Sequence, residues 1–194
     1  AQATTTTERQ MNSQSPPYRR RIRRETPGHA RFLTFSCFKR LPLLRTGATR
    51  DIFENAVLEA RKNCHFQLYA WVVMPNHVHL LLKPSLPDHP IATVLNQIKQ
   101  PVAKTILAEW RRLDAGVLPK LTSARGDVRF WQRGGGIDRN IYSKYEFVQK
   151  FNYIHLNPVK AGLVERPQDW RWSSAPAYAG VTQGRLQPDP LPTL

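Results

Sequence analysis

The sequence predicts an α+β sandwich: an antiparallel sheet of four strands with helices packed mainly on one face. Three observations predict it. Short stretches alternate apolar and polar residues with a period of two, longer ones repeat apolar residues at helical spacing, and the two kinds follow one another as strand, helix, strand, strand, helix, strand, helix. No segment repeats, and 194 residues suffice for one well-packed core but not for two. The expected organisation is a disordered tail over 1–17, one domain over 18–178 that begins with a basic arm, and a C-terminal tail over 179–194.

The tail is rich in Thr, Gln and Ser and has too little apolar surface to offset its ordering entropy. The arm Tyr18-Arg19-Arg20-Arg21-Ile22-Arg23-Arg24 sets phosphate-binding side chains beside an aromatic ring, ahead of Pro27-Gly28. From Ala30 to Phe38, Leu33, Phe35 and Cys37 make one apolar face and Phe32, Thr34, Ser36 and Phe38 a mixed one, which predicts the first core strand. Ile52, Phe53, Ala56, Val57, Leu58 and Ala60 follow at helical spacing from about Asp51, whose carboxylate suits a first turn. His65–Val73 predicts a second strand, with Phe66, Leu68, Ala70 and Val72 on one face and Gln67, Tyr69, Trp71 and Val73 on the other. Met74-Pro75-Asn76 then turns tightly into a third strand, His77–Lys83, to close a hairpin.

After a loop over 84–90, Ile91–Leu113 predicts a helix that Pro101 should kink or divide. Asp127–Trp131 is the candidate fourth strand. Ser143 and Glu146 form a capping box that opens a helix to Leu156, which Asn157-Pro158 should end or bend, and Trp170, Trp172 and Tyr178 belong to a closing segment.

Charge narrows the function. There are 29 Lys+Arg against 14 Asp+Glu, a formal net charge of +15, and a field of that sign favours a polyanionic partner. No basic amphipathic helix with an aromatic face suggests a membrane surface, no run approaches the roughly 18 apolar residues of a membrane span, and no signal-peptide core is visible. A soluble, cytoplasmic protein is expected, with nucleic acid as partner and no membrane; monomer and homodimer both fit. Cys37 and Cys64 sit in apolar surroundings without metal-ligand spacing, which predicts buried thiols.

His77 and His79 are the residues that ask for chemistry. Two apart on a strand, they project from one face while Val78 and Leu80 point to the other. Two imidazoles leave positions open for another protein ligand, water and a phosphate oxygen, as a catalytic metal site requires. Imidazole alone favours zinc; Mg or Mn would draw on substrate and water oxygens.

The stretch Met74-Pro75-Asn76-His77-Val78-His79-Leu80-Leu81 is followed by Phe130-Trp131-Gln132-Arg133, then by the run Tyr153 to Val164 (YIHLNPVKAGLV) and Trp172-Ser173-Ser174. Together these resemble the REP-associated tyrosine transposases, relatives of the single-tyrosine insertion-sequence-200-type transposases among the HUH endonucleases. The resemblance covers about residues 18–178. It implies a ferredoxin-like domain that binds single-stranded or hairpin DNA, in which His77, His79 and Asn157 hold a divalent metal, Mg or Mn, and Tyr153 is the nucleophile, forming a 5′-phosphotyrosine. Tyr153 and Asn157 are four residues apart and share one helix face, consistent with that assignment. Candidate DNA contacts are Arg19, Arg20, Arg21, Arg23, Arg24, Lys99 and Arg133. Tyr142 and Tyr145 lack the flanking motif, His155 is expected to pack, and Tyr69, Trp71 and Trp131 are expected in the core rather than under stacked bases. The alternative is a non-catalytic single-stranded nucleic-acid-binding protein of the same fold.

Overall fold

The computed structural model describes residues 26–85, 90–123, 126–134, 136–181 and 184–192. The 1–17 tail and the Arg19–Arg24 arm lie outside the described residues. Strand β1 (Ala30–Ser36) leads to α1 (Gly47–Cys64), β2 (Phe66–Val73), β3 (His77–Pro84), α2 (Ile91–Arg112), β4 (Ile137–Ile141), α3 (Lys144–Lys160) and the short α4 (Ala175–Tyr178). The sheet order is β2-β3-β1-β4 and every pairing is antiparallel. This is the predicted α+β class with ferredoxin-like topology.

Strand alternation divides the core in two. Leu33, Phe35, Val78, Leu80 and Leu82 face α1 and α2, whereas Phe32 and Leu81 face α3 with Phe147 and Ile154. Two long helices therefore share one face, and the helix carrying Tyr153 covers part of the other. On β2 the expected alternation changes phase. A bulge between Leu68 and Ala70 inserts Tyr69, so that Phe66, Leu68, Trp71 and Val73 share the α1/α2 side while Tyr69, Ala70 and Val72 turn toward α3.

Several boundaries differ from the sequence reading. Helix α1 starts at Gly47, because the Thr46 hydroxyl caps it by accepting the Thr49 N–H at 3.2 Å. Asp51 thus lies past the first turn and accepts the Trp172 indole N–H at 2.9 Å. Pro101 neither divides nor ends α2. It lies on the exposed side, as does Gln97, so the carbonyl that loses a partner faces water. Helix α3 begins as predicted, with Ser143 Oγ accepting from Glu146 N–H at 3.1 Å, and runs through Pro158 to Lys160. Gly162 stops it: at φ +66° it allows Leu163 N–H to reach Pro158 O and its own N–H to reach Val159 O, both at 2.9 Å.

The fourth strand is Ile137–Ile141, not Asp127–Trp131. In the latter segment Val128 and Trp131 make only isolated bridges, to Thr122 and Cys37. Strand β4 is polar in sequence because much of its hold on β1 is polar. The buried Arg31 guanidinium bonds Asp138, with Nε to Oδ1 at 3.0 Å, and also Asn140. Gly136 leads into β4 so close to β1 that a Cβ there would stand 2.7 Å from Thr34 O.

Cys37 and Cys64 are free and buried, as expected; burial pushes the Cys37 thiol up to about 12. Beyond α4, Leu186 is buried in the core, Asp189 Oδ2 accepts the Leu68 N–H at 2.6 Å, and Asp189 pairs with Arg61 at 2.7 Å. This segment therefore covers the outer edge of β2, one of the two edge strands of the sheet. No helix among the described residues is long and apolar enough to cross a membrane.

Candidate active site

Because β1 and β3 pair with Ser36 opposite His77 and Thr34 opposite His79, the two histidines occupy the sheet face that α3 covers. Their ring centroids are 4.8 Å apart. His79 is buried, with its ring stacked on Phe32 at 5.7 Å, and its Nδ1 lies 2.7 Å from Thr34 Oγ1. With the proton on Nδ1, the imidazole donates to the threonine oxygen and turns the Nε2 lone pair inward, where that atom is buried without a hydrogen-bond partner. His77 is set in the same sense, with Nδ1 2.6 Å from Asn76 Oδ1, so the turn before β3 orients the first imidazole and β1 orients the second.

Both imidazoles are held neutral at pH 7. Burial lowers His77, Arg40 nearby lowers it further, and a hydrogen bond with the Asn157 side chain opposes the shift. Burial, then the charge of His77, brings His79 down to about 3. Neutral imidazoles are the ligating form.

Helix α3 supplies the rest. The Tyr153 ring lies edge-on to His79 at 5.2 Å and to Phe32 at 5.9 Å, yet the residue is 39% exposed. Asn157, one turn on, directs its amide nitrogen back to Tyr153 O at 3.4 Å, leaving its oxygen for the side of His77. Residues 77, 79, 153 and 157, from a strand and a helix more than seventy residues apart, thus meet at one place. Among the described residues no group of three or more His, Cys, Asp or Glu side chains gathers as metal ligands. A metal at the pair would take its remaining oxygens from Asn157, water and substrate. The orphaned Nε2 of His79, the neutral imidazoles and the amide oxygen fit such an ion.

Of the other sequence candidates, Arg133 is exposed in the loop after Trp131. That loop is tied to the His77 end of the sheet, since Gln132 N–H donates to Ser36 O at 2.9 Å. Lys99 is not brought to the pair: its ammonium lies over the rings of Phe35 and Trp131, at 5.2 and 5.7 Å, on the α1/α2 side. Tyr142 and Tyr145 stand out at the start of α3, away from the pair. Tyr69 and Trp71 are core residues, Trp131 packs against the core, and His155 is buried with Nε2 2.6 Å from Ser174 Oγ.

Sequence reasoning passed over four residues at the site. Thr34 and Phe32 depend on a strand pairing that no local pattern reveals. Lys150 and Lys160 were legible, because they lie three residues before and seven after Tyr153, on its own helix face. Lys150 Nζ is 5.9 Å and Lys160 Nζ 5.5 Å from the Tyr153 ring centroid.

The chain resembles known proteins in sequence and in fold. Over 122 residues the chain is 26% identical to a Haemophilus influenzae protein provisionally named a REP-associated tyrosine transposase, an alignment covering 63% of this chain and 66% of that one. The REP-associated tyrosine transposase of Escherichia coli is 24% identical over 129 residues, covering 64% of this chain and 63% of the relative. The matched region thus spans slightly less than two thirds of both relatives. A solved REP-associated tyrosine transposase bound to a REP hairpin superposes with a TM-score of 0.63 over 88% of this chain and 92% of that one, at 20% identity, which shows a common fold. The profile of the family described as "Transposase IS200 like" matches residues 29–134. That match takes in more than half of the chain, including β1 to α2 and the histidine pair, and stops short of α3; on its strength the chain belongs to the IS200-like transposase family.

Proposed function

We propose that this chain cuts and rejoins single-stranded, hairpin-flanked DNA of the REP type, with Tyr153 as the nucleophile. The observation that carries the reading is the meeting of Tyr153, Asn157, His77 and His79 across the sheet. A tyrosine packed only for stability has no need of two neutral, oriented imidazoles beside it.

In the proposed step the Tyr153 oxygen forms a bond to phosphorus and the bond from phosphorus to the 3′-oxygen breaks. The phenol gives up its proton, the departing oxygen takes one up, and the products are a 5′-phosphotyrosine and a free 3′-hydroxyl. A 3′-hydroxyl attacking the phosphotyrosine reverses the exchange, so one ester replaces another and no external energy source is needed. His77, His79 and Asn157 would hold a divalent ion, Mg or Mn; when bound, it polarises the scissile phosphate and offsets charge on its oxygens. Thr34 and Asn76 keep the imidazoles aimed. Phe32 fixes one edge of the Tyr153 ring, and the exposure of the phenol leaves room for an unpaired strand. The +15 net charge supplies attraction to the DNA backbone, which should weaken steeply with salt.

The test is a labelled DNA hairpin with a single-stranded flank, incubated with the protein and Mn or Mg. Wild type should give a covalent protein–DNA adduct and a shortened strand ending in a 3′-hydroxyl. Tyr153→Phe should lower adduct formation by on the order of a thousandfold or more, as expected on losing a nucleophile, with the fold intact by circular dichroism. If wild type binds the DNA but forms no adduct, the non-catalytic binding module of the same fold is the correct reading.

A further inference from the structure

Helix α3 carries Lys150, Tyr153, Asn157 and Lys160 at intervals of three, four and three residues, which places them in one stripe. The two lysines are ten residues apart, on the order of 15 Å along the helix axis, yet both lean toward the ring between them. Lys150 Nζ is 5.3 Å from the Phe32 centroid and 5.9 Å from that of Tyr153; Lys160 Nζ is 5.5 Å from the latter. Glu146, one turn before Lys150, feels that lysine's charge but makes its close contacts elsewhere: it pairs with Arg139 at 2.7 Å and accepts the Tyr142 N–H at 2.9 Å. Among the described residues neither lysine has a carboxylate within ion-pair distance.

Two cations therefore flank an accessible phenol and two neutral imidazoles, and both lie against the faces of aromatic rings. A ring face holds an ammonium loosely and gives it up when an anion arrives. The spacing matters as well, because one lysine stands before the tyrosine along the helix and the other after it. We propose that Lys150 and Lys160 form a two-point phosphate clamp. Each grips a phosphodiester of the single strand, one on either side of the bond presented to Tyr153, so that the strand runs along α3. The clamp rests on the reading of Tyr153 as nucleophile, although its grip on DNA can be measured without any cleavage.

The experiment uses the full chain, wild type and Lys150→Gln, Lys160→Gln, the double variant, and the two Lys→Arg variants. The probe is a labelled hairpin with a single-stranded flank, and Kd is measured from 50 to 300 mM salt together with kcat and KM for adduct formation in Mn. Each Gln variant should raise Kd and KM about five- to tenfold at fixed salt. It should also lower the slope of log affinity against log salt by about 0.7, the increment for each phosphate neutralised on a single strand. The value of kcat should stay within about threefold, and Arg, which keeps the charge, should restore most of the binding. An unchanged salt slope overturns the clamp, whether kcat falls with it or nothing changes. The slopes report on the lysines even if wild type forms no adduct, an outcome that removes the nucleophile reading instead.

Discussion

The two faces of the sheet are built for different tasks from the same strands. On the α1/α2 side Leu33, Leu68, Val78, Leu80 and Leu82 are wholly buried against Phe53, Val57, Ile91, Val94 and Ile98, also wholly buried. On the α3 side the apolar set is smaller, and between Phe32 and Ile154 it gives way to Thr34, His79, the His155–Ser174 pair and the half-open Tyr153. Adjacent residues divide the labour: Val78 belongs to the dry face and His79 to the polar one. A strand with period-two alternation can therefore carry a cluster of polar groups without thinning the core beneath them.

If the faces are separable, damage to one should leave the other working. Phe53 is fully buried, with the rings of Phe35 and Trp131 at 6.1 and 6.4 Å. Phe53→Ala should lower stability by about 3–5 kcal/mol, read from denaturant titration. Adduct formation per folded molecule should stay within about threefold. A tenfold loss of that rate with little loss of stability would show that the faces are coupled. Tyr153→Phe is the mirror case, with activity gone and stability kept.

Glu54, a buried carboxyl on α1, sharpens the contrast. Burial, with a smaller contribution from Asp51, pushes its carboxyl up to about 7, against the opposing pull of Arg171 and of the nearby Trp71 indole. The folded protein then binds a proton at Glu54 that the unfolded chain, at the ordinary 4.5, has released. Stability from this group is fully present below about pH 4.5, declines as pH rises to about 7, and is level beyond. Glu54→Gln should therefore stabilise the protein by up to about 3 kcal/mol at pH 8 and by little at pH 4.5. Equal effects at both values would mean that the carboxyl titrates in the folded protein as it does in the unfolded chain. His155, on the α3 side and brought down to about 4 by burial, contributes the opposite slope: its stability is lost as pH falls from about 6.5 toward 4.

Much of this division was legible in the residues. Period-two and helical spacings place β1, α1, β2, β3, α2 and α3, and the His77/His79 spacing puts both imidazoles on one face. The errors share a physical origin in interactions distant in sequence. Strand β4 lacks an apolar alternation because Arg31, 107 residues away, holds Asp138. The bulge at Tyr69 reverses the faces of β2 through pairing with β3. Pro101 and Pro158 are tolerated, the first because its lost bond faces solvent and the second because the helix continues past it only to Lys160, where Gly162 stops it. Thr34 belongs to the site only through the pairing that sets β1 opposite His79.

Thr34 therefore offers the finest cut between the faces. Its backbone belongs to the central strand β1, its neighbours Leu33 and Phe35 anchor the dry core, and its hydroxyl alone reaches His79. Thr34→Val keeps the shape and the β-branch while removing that oxygen, so His79 loses the partner that fixes its ring and its tautomer. If the pair holds a divalent ion, affinity for Mn measured by isothermal titration should fall about 10- to 100-fold, and the Mn concentration that half-saturates adduct formation should rise by the same factor. Thr34→Ser, which restores the hydroxyl, should recover most of it. Unfolding should report only the modest cost of one lost hydrogen bond, about 1 kcal/mol. Unchanged Mn affinity in the valine variant would detach Thr34 from the site and leave it as one more rung of the sheet.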